Sequence, residues 1–266
     1  MKVQGSLVVI TGAGSGMGRA MTLELLRRGA KVAALDLRRE TLDETKSIAN
    51  VDSSRLETFV IDVASPDQVA QMPDRVRSAL GEPDILINNA GIIQPFLRIN
   101  DLAISDIERV MKVNFYGPVF MIKAFLPGLL KRPHAHILNV SSMGAYAPVP
   151  GQSAYGASKA AIKLLTEGLR SELMGTNVGV TVAFPGAVAT NIATNSGLEI
   201  PDSSENSAKY KALPATDAAR IMIDAIESGK GRVTVGKDAT TMDRLSRLNP
   251  EFAAKMIYRN MRSLLK

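Results

Sequence analysis

The sequence predicts an α/β protein: a doubly wound parallel sheet of about seven strands with helices on both faces. Three observations predict it. Short, β-branched apolar runs recur along the 266 residues with helix-length stretches between them. The runs are apolar throughout rather than alternating, as strands buried on both faces must be. A glycine-rich turn follows the first run directly and opens the first helix. Strand–helix alternation with crossover connections is the pattern of a doubly wound sheet.

In chain order, strands are expected at 7–11, 31–36, 57–63, 84–88, 136–141, 179–184 and 232–235. Helices are expected near 17–28, 38–49, 66–80, 102–131, 152–174 and 216–229. Ser65-Pro66, Ser153 and Thr216-Asp217 read as caps or first-turn residues. No internal repeat, low-complexity tract or linker divides the chain, so residues 1–266 read as one domain. One segment breaks the rhythm. Residues 191–213 lack periodicity and are rich in Asn, Ser, Pro and charge. Loops of this length are commonly functional. Its place after the sixth strand, at the carboxyl side of the sheet, suggests a lid over a substrate; a surface insertion is the plainer alternative.

Composition excludes several classes. There is no cysteine, hence no disulfide framework, thiolate metal site or cysteine nucleophile. His134 and His136 are the two histidines, and H-x-H before a strand reads as loop and strand edge, so no metal site is expected. Lys2 is followed by only a short apolar run, which is no secretory leader. The most membrane-like window, 113–130, carries Asn114, Pro118, Lys123 and Pro127 and reads as a buried helix. A soluble, cytoplasmic protein is expected. Residues 244–266 hold six basic residues and one acid, so +5 of the net +6 lies there and about +1 in everything before. The bulk of the chain is therefore no nucleic-acid binder by charge.

The turn from Thr11 to Gly18 reads T-G-A-G-S-G-M-G. Glycine permits close backbone approach to a pyrophosphate, and a helix amino terminus presents free N–H groups to it. Gly12, Ser15, Gly16, Met17 and Gly18 are thus candidate dinucleotide contacts in a Rossmann-type fold. Asp36 ends the second strand 18 residues after Gly18. An acid there can accept bonds from the adenosine ribose hydroxyls and repel a 2′-phosphate. With Ser15 where a basic residue could grip that phosphate, this favours NAD over NADP, although Arg38 and Arg39 stand close by. Asp62 and Val63 could flank the adenine, and Asn88-Asn89-Ala90-Gly91 brings a flexible turn to the same edge.

Tyr155 and Lys159 are four apart and share a helix face. A fixed cation beside a phenol is expected to lower its pKa from about 10 toward working pH, giving a general acid/base. Ser142 ends the fifth strand and can converge on Tyr155. Ser141 competes, and strand geometry allows only one of them to face the site. Pro118 lacks the N–H that the Asn114 carbonyl would otherwise meet, which suggests a water there and a proton path from Lys159. Met143, Gly144, Gln94 and Gln152 suggest a pocket of mixed polarity without an anion clamp.

Together, Thr11-Gly-x-x-x-Gly-x-Gly18, Asp62-Val63, Asn88-Asn-Ala-Gly91, Asn114, Ser142, Tyr155-x-x-x-Lys159 and Pro185-Gly186-x-Val188-x-Thr190 resemble the short-chain dehydrogenase/reductase family over residues 5 to about 236. The resemblance implies Tyr155 as general acid/base and Ser142 as ligand of the substrate oxygen. Lys159 would tune Tyr155 and hold the nicotinamide ribose, and Asn114 would position a relay water. Pro185, Gly186, Val188 and Thr190 would lie against the nicotinamide end, Val188 and Thr190 at its carboxamide. It also implies a homodimer or homotetramer packed through the fourth and fifth helices. The expected activity is NAD-dependent interconversion of a secondary alcohol and a ketone. An NADPH-dependent ketone reductase and a non-catalytic nucleotide-binding module are the alternatives. Beyond the shared core, a basic helical extension at about 239–266 starts at Asn249-Pro250. Phe252, Met256, Leu264 and Leu265 form its apolar stripe, with Ile257 and Met261 adjoining. Packing within the protein is the favoured reading and peripheral membrane contact the alternative.

Overall fold

A computed structural model describes residues 1–198, 212–262 and 265. Seven parallel strands form one sheet in the order β3-β2-β1-β4-β5-β6-β7: β1 (Leu7–Thr11), β2 (Lys31–Asp36), β3 (Leu56–Val60), β4 (Ile85–Asn88), β5 (Ala135–Val140), β6 (Val178–Pro185) and β7 (Arg232–Val235). β1 pairs with β2 on one side (Val8 with Val32) and β4 on the other (Val8 with Ile85). The winding therefore reverses between β1 and β4, and that is where a crevice opens at the carboxyl ends of the strands.

The continuous apolar runs are explained by two cores, one on each face. Val8, Ile10, Ile85 and Ile87 pack toward Met21 and Leu25 of α1 (Gly16–Arg27), Leu42 of α2 (Arg39–Ala49) and Ile223 of α9 (Ala215–Glu227). Val9, Ala33, Leu86 and Ile137 alternate onto the other face. There they meet Val76 of α4 (Met72–Leu80), Phe125 of α6 (Gly117–Leu129) and Leu169 of α7 (Ser153–Glu172). Successive residues of the central strands serve opposite cores, so most of their positions are apolar.

Several boundaries differ from expectation, each for a local reason. The 66–80 helix breaks into α3 (Pro66–Ala70) and α4 because Pro73 has no N–H to offer the preceding turn. The long 102–131 helix is α5 (Ile104–Met111), a π turn (Lys112–Tyr116) and α6, with Gly117 N–H reaching back to Lys112. As expected, Ser65 caps α3, and Ser153 and Thr216-Asp217 lie in the first turns of α7 and α9. β3 ends at Val60, so Asp62 and Val63 lie beyond the strand.

The carboxyl-terminal extension is α10 (Lys237–Leu248) and α11 (Pro250–Met261), with the Asn249 side chain accepting from Phe252 N–H at 3.0 Å. Its apolar face lies on its own subunit. Ala253 and Ile257 are buried with Ala147 and Met242, flanked by Met143, Tyr146, Val149, Met256 and Met261. The face is rotated from the expected stripe: Phe252 is half-exposed, and Leu264 lies outside the described residues. Leu248, Phe252 and Tyr258 of the extension stay exposed. No helix among the described residues is long and apolar enough to cross a membrane. Of the expected lid, 199–211 lies outside the described residues; its flanks include α8 (Ile192–Asn195) and a parallel bridge between Val188 and Leu213.

His136 sits inside β5 rather than at its edge. It is buried, its Nε2 lies 2.7 Å from Thr181 Oγ1, and burial pushes its pKa from 6.5 to about 4. The unfolded chain binds this proton near pH 6.5 and the folded chain only near 4. Stability is therefore expected to fall as pH drops through that window, by about 3 kcal/mol in all. Urea unfolding across the window should show this slope in the wild type and a flatter one in His136→Gln.

Candidate active site

At the crevice, β1 ends in the glycine turn and β4 in Asn89-Ala90-Gly91. The two ends are laced together. Thr11 Oγ1 accepts from the backbone N–H groups of Asn89 (3.0 Å) and Ala90 (3.1 Å), while Asn89 Nδ2 donates to the Thr11 carbonyl at 3.0 Å. Gly12 has φ +69°, and a Cβ there would come within 2.9 Å of Ala90 Cα. A Cβ on Gly18 would strike the Gly12 carbonyl, so α1 can seat its first turn against the loop only as glycine. Asp36 is fixed beside this cradle: its Oδ2 accepts from Gly14 N–H at 2.9 Å and its Oδ1 from Arg38 N–H at 3.2 Å.

Of the expected contacts, Gly12, Ser15, Gly16, Met17, Asp36, Asp62, Val63, Asn89, Ala90, Gly91 and Thr190 line this cleft. Gly18 lies beneath the turn, and Pro185, Gly186 and Val188 are not among the walls. The cradle fits a dinucleotide. Backbone rather than side chains faces the cleft at the turn, and Asn89 Oδ1 is buried without a partner.

The proton-handling set converges beside it. Ser141 and Ser142 point opposite ways, which settles their competition. The buried Ser141 hydroxyl donates to the Lys159 carbonyl at 2.7 Å. Ser142 Oγ accepts from Gly144 N–H at 3.0 Å, and a Cβ on Gly144 would sit 3.4 Å from both Ser142 Oγ and Tyr155 Cε1. Lys159 is 4% exposed, and its ammonium donates to the Val140 carbonyl at 3.1 Å and lies 5.8 Å from the Tyr155 ring centre. Asn114, 1% exposed, is locked by its side chain: Oδ1 accepts from Ile92 N–H and Nδ2 donates to the Ile92 carbonyl, both at 2.9 Å, and Nδ2 also meets Ser158 Oγ at 3.0 Å. Gly91 leaves room for both, since a Cβ there would lie 3.2 Å from Lys159 Nζ and 3.3 Å from Asn114 Oδ1.

One expectation is reversed in this form. The Tyr155 pKa is pushed up, not down, because loss of water around the hydroxyl outweighs the lowering by Ser142. The same loss of water brings Lys159 down to about 8, so its charge is itself weakened. The spacing correctly pairs the two groups, but burial acts on both.

Known proteins match this geometry. The family model for short chain dehydrogenases matches residues 6–200. The chain belongs to the short-chain dehydrogenase/reductase family. It is therefore an oxidoreductase. Mycobacterium tuberculosis SadH is 35% identical over 252 residues, covering 92% of this chain and 91% of that protein. A short-chain dehydrogenase/reductase from Burkholderia phymatum, solved with NAD, superposes with a TM-score of 0.85 at 27% identity, covering 96% of this chain and 97% of the other. A short-chain dehydrogenase from Burkholderia cenocepacia, solved with NADP, does so with a TM-score of 0.79 at 28% identity, covering 97% and 99%.

Asn195 and Asp238 carry no individual role in the sequence, and Gln94, expected near the pocket, has a further one. Asn195 spans the cleft, donating through Nδ2 to Ser15 Oγ and accepting at Oδ1 from Arg38 Nη2, both at 2.8 Å. Asp238, in the first turn of α10, accepts from Ala187 N–H at 2.7 Å and occupies the space a Gly186 side chain would need. Gln94 holds the start of α7. An Asn in an aperiodic stretch and an Asp in a first helical turn gave no signal beyond ordinary local roles. The serine geometry makes a testable distinction. Ser142→Ala is expected to lower turnover by at least ~100-fold through loss of the hydroxyl that the family resemblance would set on the substrate oxygen. Ser141→Ala should cost about 1 kcal/mol of stability and keep most turnover, as steady-state rates and denaturation of the two variants will show.

Proposed function

We propose that this enzyme interconverts a secondary alcohol and a ketone, with NAD as coenzyme and Tyr155 as the group that takes up and returns the hydroxyl proton. The observation that supports it is the position of Lys159 Nζ, 5.8 Å from the Tyr155 ring centre and packed against the bare backbone of Gly91 at the cleft wall. Bound NAD would supply the hydride acceptor. The glycine turn would hold its pyrophosphate and Asp36 its adenosine ribose.

The chain's own residues manage the proton. Desolvation drives Tyr155 and Lys159 each toward the neutral form. A phenolate beside an ammonium offsets both penalties, so the charged pair can form together where either charge alone is disfavoured. Ser142 steadies the substrate oxygen against the phenol. Asn114 is clamped to Ile92, and the family resemblance would give it a relay water. The fixed Asp36 carboxylate favours NAD by repelling a 2′-phosphate. The rival reading, an NADPH-dependent ketone reductase, draws support from Arg38 at the same cleft. Contacts between subunits through α5–α6 and α7 remain part of this proposal, by family resemblance.

Tyr155→Phe is expected to bind NAD normally and to lose at least ~100-fold in turnover, measured by nicotinamide absorbance over a panel of secondary alcohols and ketones. Near-normal turnover would refute the assignment. Asp36→Ala should narrow the kcat/KM preference for NAD over NADP by about tenfold, or about 1.4 kcal/mol. A wild type that already prefers NADP would decide for the rival.

A further inference from the structure

Tyr155 is the third residue of α7, so its backbone N–H belongs to the group that a helix leaves without internal partners. The chain one turn earlier is still turning, with Gly151 at φ +78°. Gln152, the residue before the helix, makes no side-chain cap. The missing acceptor comes from a loop 61 positions away: Gln94 Oε1 accepts from Tyr155 N–H at 2.8 Å.

Gln94 is wholly buried, at 0% exposure. Its Nε2 donates to the Gly151 carbonyl at 3.1 Å, and its own carbonyl accepts from Gln152 Nε2 at 2.8 Å. Both ends of one buried amide are thus used on the turn that delivers the phenol. A side chain that only filled space here would be apolar, because burying an amide is unfavourable unless each polar atom is matched. Gln94 also lies three residues beyond Gly91, in a loop fixed at Ile92 by Asn114 and at Ile93 by Ser196 Oγ (2.9 Å). The segment lining the dinucleotide cleft therefore continues into the clasp on α7.

We infer that Gln94 is a positioning residue for Tyr155, setting the phenol against Ser142 and Lys159 by capping the first turn of α7. The inference rests on the proton-handling role of Tyr155 proposed above. Without the cap, the first turn loses its acceptor and the tyrosine, at the frayed end, loses its fixed distance to the ammonium. The dinucleotide cradle, built from other residues, stays intact.

The test uses the full chain, NAD, and a secondary alcohol that the wild type oxidises. Gln94→Met keeps length and removes both hydrogen bonds; Gln94→Asn keeps an amide that is one methylene too short to reach. Both are expected to fold. Gln94→Met should lower kcat at least ~tenfold while the NAD dissociation constant, read by fluorescence, stays within ~twofold. The limb of the kcat–pH profile that reports the phenol should move to higher pH, since a displaced Tyr155 is less supported by Lys159. Gln94→Asn should shift the same way, and it carries the test should Gln94→Met fail to fold. An unmoved limb, or a kcat loss no larger than the loss of NAD affinity, overturns the inference. Tyr155→Phe is run alongside. If it is inactive while the Gln94 variants behave as wild type, only the positioning role falls; if it retains near-normal turnover, the underlying reading falls with it.

Discussion

The site is organised around a buried ammonium. Lys159 is held out of water, with its Nζ on the Val140 carbonyl, and its proton affinity is lowered for that reason. Much of the surrounding sequence serves this placement. Val140, Ser141 and Ser142 leave the end of β5 with three successive tasks: a carbonyl for the ammonium, a hydroxyl for the lysine backbone, and a hydroxyl turned toward Tyr155. Gly91 lacks a side chain where one would crowd the ammonium, and Asn114 closes the space beside it. A buried cation favours the formation of an anion next to it, and the phenol stands within reach.

The segments that assemble here are far apart in sequence and joined by backbone-directed bonds. Asn89 ties β4 to the turn after β1, Asn114 ties the π turn to Ile92, and Asp238 ties the last helices to the loop after β6. The carboxyl-terminal helices do more than cover a surface. Through Met242, Ala253 and Ile257 they form a small core with Ala147, beside Met143 and Tyr146, and the Tyr146 hydroxyl donates to the Ala239 carbonyl at 2.9 Å. The loop after Ser142 is thereby held from both sides.

What the sequence made legible followed from strong local rules. Strands buried on both faces are mostly apolar, which makes the central ones legible; β3 (LETFV) and β7 (RVTV), at the sheet edges, carry more polar residues. A glycine turn between strand and helix has few uses, and most of its expected contacts do line the cleft. What stayed hidden depended on distance in sequence or on solvent. Gln94 is an ordinary loop glutamine until Tyr155 N–H is seen beside it. Alternation required that one of Ser141 and Ser142 face inward but could not say which. The Tyr155–Lys159 spacing reports a neighbouring charge and nothing of the lost water, which pushes the phenol up. In the extension Met256, Ile257 and Met261 join the packed face as their spacing suggests, while Ala253, too small to stand out, is buried and Phe252 is half-exposed.

The π turn at Lys112–Tyr116 has an architectural consequence. Such a turn accommodates one residue more than an α-helix does. The widened turn takes up its surplus residue, so α5 and α6 keep nearly the phase of one regular helix; the same extra residue in regular winding would turn everything downstream by about 100° about the axis. Met121, Phe125 and Leu129, which seal one side of the sheet, would then be carried off it. The surplus residue works as a phase adjuster, letting one rod satisfy a polar appointment at its middle and a greasy one at its end.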